Sequence, residues 1–198
     1  MPKEKTVQSD IGGYIANLMR ENFGKGPSSV FVSITPNFIS IYLRGCLTPA
    51  EKILLKQNQS QLVSKIRDLL MVEFVSEIKI GIWKLAELDV KEIYADWNFD
   101  KESGVLIATL DDKANISPVE WPEEVDQDAF IAEIIKKSIE VQKEPVPTDI
   151  HWLNDRSVLI ERTGILVQIE KELIKIGFVE ELKLAKRPLE YKFVRNSA

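Results

Sequence analysis

Residues 28–51, SSVFVSITPNFISIYLRGCLTPAE, decide the fold. Val30, Val32 and Ile34 recur at every second position, and Ile39, Ile41 and Leu43 do the same after the break at Thr35-Pro36-Asn37. Successive side chains point to opposite faces of a strand, so each triplet shares one face. The pair reads as a β-hairpin with one buried side. The charge-free run Ser28–Leu43 is shorter than the ~20 apolar residues a membrane-spanning helix requires. No direct membrane insertion is therefore expected. At Thr48 the pattern changes. Thr48 reads as an N-cap, Pro49 takes the first helical position and Glu51 stands three residues after the cap. In that arrangement the hydroxyl and the carboxylate each satisfy a backbone N–H left free at a helix start.

Working outward, Ile11, Ile15, Leu18 and Met19 have helical spacing, with Ser9 or Asp10 as the cap and Gly24 where a helix end needs left-handed backbone. Beyond Glu51 a helical stripe runs through Val63, Ile66, Leu70, Phe74, Ile78, Ile82 and Leu85. This predicts a long helix over about Ser60–Leu88, with Gly81 as a kink. Its apolar content exceeds what one small sheet needs, which predicts self-association as a homodimer. Ile93, Ala95, Trp97 and Phe99 then alternate, Asp100–Gly104 turn, and Val105–Leu110 form another strand.

The order helix, two strands, helix, two strands recurs in shorter form. Phe130–Lys136 reads against Tyr14–Arg20 at an offset of 116. Gly164–Lys175 (GILVQIEKELIK) reads against Gly45–Lys56 (GCLTPAEKILLK) at an offset of 119, with six of twelve positions identical. Ile150–Leu153 and Val158–Arg162 are strand-like around Asn154-Asp155. Phe178–Leu184 and Leu189–Val194 read as a last hairpin turning near Lys186-Arg187-Pro188. The expected fold class is α+β: tandem αββαββ units, antiparallel sheets with helices packed on one face.

Charge locates the boundary. The 198-residue chain carries 26 Lys or Arg and 31 Asp or Glu, a formal net of −5. Residues 1–110 hold 13 basic and 13 acidic groups, residues 129–198 hold 12 and 11, and residues 111–128 (DDKANISPVEWPEEVDQD) hold one Lys against seven acids. Acid-rich sequence broken by Pro118 and Pro122 has little to bury. The expected division is a domain over 1–110, a linker over 111–128 and a degenerate repeat over 129–198. No segment concentrates positive charge, so no nucleic-acid partner is expected.

Gly24-Lys25-Gly26-Pro27 before the hairpin, Leu43-Arg44-Gly45-Cys46-Leu47-Thr48-Pro49-Ala50-Glu51, and Ala95-Asp96, Asp100 and Gly104-Val105 in the later hairpin together resemble the conserved elements of the MpsC family. The likeness covers about residues 7–110. It departs from the usual pattern at Trp97-Asn98-Phe99 and at Gly81-Ile82-Trp83. That family is named for a component of a bacterial membrane-potential-generating, cation- and bicarbonate-linked transport system. The resemblance implies a non-enzymatic accessory or regulatory protein-interaction module, with membrane transporter subunits as partners. The alternative is a regulator that senses a small anion bound between the two units.

The candidate contacts for a partner or an anion are Lys25, Arg44 and Trp121. Lys25 lies in a glycine-rich turn that closes a helix and opens a strand, the reverse of a phosphate-cradling loop. Trp121 is an aromatic in an otherwise polar segment, either a docking anchor or an exposed binding feature, with docking onto the protein's own surface preferred. A single cysteine, Cys46, excludes an intramolecular disulfide and fits a reducing, cytoplasmic compartment. The charged opening Met1–Lys5 is not a secretory signal. A single histidine, His151, excludes any site needing two imidazoles. Cys46 with His151 as nucleophile and base lacks an orienting acid and an oxyanion loop, so no catalytic residue is assigned. Asp96, Asp100, Glu102, Asp111 and Asp112 match no calcium-loop spacing, so no metal ligand or cofactor is assigned.

Overall fold

The structure is a computed structural model that describes residues 6–111, 114–141 and 148–195. Met1–Lys5 and Asp112 lie outside the described residues. The chain divides into two compact units at Pro118/Val119, inside the acid-rich segment.

The first unit opens with α1 (Val7–Phe23). Thr6 caps it, its hydroxyl accepting from the Ser9 N–H at 3.3 Å, and Gly24 closes it at φ 71°. β1 (Ser29–Ile34) and β2 (Phe38–Arg44) pair antiparallel from Ser29↔Arg44 to Ile34↔Ile39, as the alternation predicts. α2 (Pro49–Lys56) starts on the Thr48 cap. The helical run then breaks at Gln57–Gln59, where Asn58 adopts φ 59°, and α3 (Ser60–Ala86) follows. Asn tolerates that left-handed geometry better than most residues, which lets the chain turn there. β3 (Val90–Asn98) and β4 (Ser103–Leu110) form the second hairpin.

The two hairpins merge. β2 pairs with β4 from Phe38↔Thr109 to Arg44↔Ser103, giving one antiparallel sheet in the order β1-β2-β4-β3. The core joins Ile11, Ile15 and Leu18 of α1, Ile39, Ile41 and Leu43 of β2, Leu106 and Ala108 of β4, and Phe74, Ile78 and Ile82 of α3. The predicted α3 stripe needs correction. Its core face is Val63, Ser64, Arg67, Met71, Phe74, Ile78, Gly81 and Ile82, whereas Ile66 and Leu85 are exposed. Gly81 serves packing: a Cβ there would stand 2.1 Å from the ring of Tyr14, whose hydroxyl donates to the Glu77 carbonyl at 2.8 Å.

The second unit contains α4 (Gln127–Val141), β5 (Thr148–Asn154), β6 (Ser157–Arg162), α5 (Gln168–Lys175) and α6 (Val179–Arg195). β5 and β6 pair antiparallel as a two-stranded sheet. The predicted final hairpin is overturned: residues 179–195 form one helix. Val179, Leu182, Lys186 and Leu189 recur at three- and four-residue steps, and this helical period outweighs the break suggested by Pro188. The second unit is thus αββαα. Its element order is that of the first five elements of the first unit, with no second strand pair among the described residues.

Candidate functional site: a buried arginine at the strand-to-helix junction

The junction between β2 and α2 is built from local chemistry. Gly45 takes φ 60°, a region that costs a side-chain-bearing residue strain. A Cβ there would also meet the Ser28 hydroxyl at 2.5 Å. Cys46 follows, wholly buried, its N–H donating to the Glu102 carbonyl at 3.1 Å. Thr48 and Glu51 then close a reciprocal cap. The Glu51 N–H donates to the Thr48 hydroxyl at 3.2 Å, and the Thr48 N–H donates to Glu51 Oε2 at 2.7 Å. On the surface beside it, Lys52 pairs with Glu102.

Arg67 enters this junction from α3 with no exposed surface. Its Nε donates to Glu51 Oε1 at 2.7 Å and its Nη2 to Oε2 at 2.9 Å, a two-point ion pair. Nη2 also donates to the Cys46 carbonyl at 2.7 Å, and Nη1 lies 3.9 Å from the Cys46 sulfur. The guanidinium carbon sits 4.2 Å from the centre of the Trp97 ring and 5.2 Å from that of Phe23. A Cβ on Gly104 would stand 2.3 Å from the Trp97 ring, so the glycine in β4 is what lets Trp97 lie flat across the strand pair. One side chain thereby ties together α1, the β2–α2 junction, α3 and β3.

The electrostatics follow from this enclosure. Burial pushes the Glu51 carboxyl up, but the bonds from Arg67 and Thr48 outweigh it, and the group sits below its ordinary value. Burial pushes the Cys46 thiol above its ordinary value against the opposing pull of Arg67. A thiol held protonated and out of water is a poor nucleophile. Among the described residues no cluster of three or more His, Cys, Asp or Glu side chains could hold a metal ion.

The structure gives the three predicted contact residues separate surroundings. The Lys25 ammonium donates to the Leu47 carbonyl at 2.8 Å, bracing the start of α2. Arg44 is exposed, its guanidinium stacked 5.3 Å from the Phe31 ring and 5.7 Å from the Tyr42 ring. Trp121 belongs to the second unit, where it packs edge-on against Phe130 at 5.9 Å and Trp152 at 5.8 Å. His151 lies on β5 opposite Leu159.

Arg67 escapes the motif reading. Its signal is a charged residue in a buried helical row, four positions after Val63 and four before Met71. The second unit repeats the arrangement. Glu170 and Lys186 stand 119 residues after Glu51 and Arg67, and they pair at 3.1 Å with side chains only 14% and 17% exposed. Glu170 Oε2 accepts from the Val167 N–H at 2.9 Å, matching the Glu51 half of the cap. Valine has no oxygen to supply the other half.

No curated protein and no solved structure matched the chain. The sequence profile of the family described as "MpsC: Na+-translocating membrane potential-generating system (MpsC)" matches residues 3–112, more than half of the chain. That span takes in the four-stranded sheet, the helices over it and the enclosed arginine, and the chain belongs to the MpsC family.

Proposed function

We propose that the chain is a non-enzymatic accessory protein of a cation-translocating membrane system. It acts on the cytoplasmic side through contact with membrane transporter subunits and as a homodimer. The supporting observation is the closure of the site. The groups best suited to chemistry, Cys46, Glu51 and Arg67, are 0%, 8% and 0% exposed and are bonded to one another and to the backbone. They brace the region matched by the family and leave it to work through its surface. Among the described residues no helix is long and apolar enough to cross a membrane, and this supports a link to the transport system through protein.

Sedimentation tests this reading. The purified chain is expected to pellet with membranes from its native cells, to stay in solution with protein-free vesicles of the same lipids, and to lose its binding when the membranes are first treated with protease. A chain that stays in solution with native membranes overturns the proposal.

A further inference from the structure

α3 carries a second apolar stripe, on the side away from the core. Ile66, Leu69, Glu73, Ser76, Ile80 and Trp83 follow one another at steps of three and four residues, and all are exposed. This is the spacing of a coiled-coil seam. Ile66, Leu69, Ile80 and Trp83 are 39%, 63%, 54% and 55% exposed, and Leu62 and Val72 widen the strip at 43% and 72%. Together these six apolar side chains offer on the order of 600 Å² to solvent, the top of the usual range for the largest apolar patch on a monomer. Covered on two copies, that is about 1,200 Å², where specific interfaces begin.

The order of residues along the stripe selects the geometry. Two apolar positions lie at each end and two polar ones in the middle. In an antiparallel pair centred between Phe74 and Val75, Ile66 faces Trp83 of the other copy, Leu69 faces Ile80, and Glu73 faces Ser76, so apolar meets apolar and carboxylate meets hydroxyl. A parallel pair in register would instead set Glu73 against Glu73 inside the seam. A two-fold interface requires such self-complementarity. We propose that the outer stripe of α3 binds the same stripe of a second copy, antiparallel, in that register. This rests on the homodimer of the reading above and names the surface that forms it.

The full-length chain is expected to have twice its 22.6 kDa mass at micromolar concentration by sedimentation equilibrium. Leu69→Glu with Ile80→Glu, both outside the core, is expected to weaken pairing at least 100-fold while leaving the circular dichroism spectrum of the fold unchanged. Ile66→Cys protein mixed with Trp83→Cys protein is expected to cross-link through a short bis-maleimide, and neither to do so alone. In the proposed pair two copies of position 66 stand about 25 Å apart along the helix. A monomeric wild type overturns the pairing, as does a dimer indifferent to the glutamates, and cross-linking of either variant alone overturns the register. A monomer that binds another protein or a lipid vesicle through this stripe also overturns it, in favour of that occupant. Membrane sedimentation reads the transporter association separately and stands or falls without the dimer.

Discussion

Withdrawing a guanidinium from water costs several kcal/mol, and Arg67 offsets this with a two-point ion pair, a carbonyl and two aromatic faces. Its partners are as dependent on it as it is on them. Arg67→Met strands the Glu51 carboxylate and is expected to lower the unfolding free energy by about 3–5 kcal/mol in urea titrations, with part of the loss recovered when Glu51→Leu is added, because the Thr48 N–H and the Cys46 carbonyl still lose their partners. The pH dependence has a definite sign. The Glu51 carboxyl titrates lower in the folded chain than in the unfolded one, so its stabilisation is present at neutral pH and is lost as pH falls through the carboxylate range. Glu51→Gln is expected to be less stable than wild type near neutrality, with the difference narrowing below about pH 4. An unchanged gap at low pH contradicts this. The Thr48–Glu51 cap is legible in the sequence because both halves lie within four residues. Arg67 meets Glu51 across sixteen residues and a chain reversal, so only its place in a buried helical row betrays it.

At the scale of elements, local periodicity reveals what local chemistry builds. β1, β2 and β3 are legible from period two, β4 from the turn at Asp100–Gly104 before it, and the hairpin β1–β2 from the turn at Pro36. The pairing of β2 with β4 is not, because it depends on two hairpins meeting across α2 and α3. Pro188 misleads for the opposite reason. A single residue that cannot donate to the turn before it argues for a break, while the spacing around it keeps the helix. The two starts at Pro49 and Gln168 offer a direct comparison. Both follow a residue in extended geometry, Thr48 at φ −78° and ψ 160° and Val167 at φ −78° and ψ 164°. Only the first has a hydroxyl. Val167→Thr, nearly equal in volume, is expected to complete the second cap and stabilise that unit by about 0.5–1 kcal/mol, read as a higher urea midpoint. No change, or a loss, contradicts the equivalence of the two helix starts.

At the scale of the molecule, the chain divides at Pro118/Val119, a point that lies within the acid-rich segment 111–128. The outer stripe of α3 assembles only on folding, because Leu62 to Trp83 are brought to one side over about six turns of helix. The proposed function has this chain serve a cation-translocating membrane system by contact, with no chemistry of its own. Its most direct test is affinity isolation of the tagged chain, at native level, from its own cells after mild cross-linking and detergent extraction. Integral membrane subunits of a cation transporter are expected in fixed proportion to the chain, both with wild type and with Cys46→Ala. Recovery of no membrane protein, together with turnover of a small molecule by the purified chain, would contradict it.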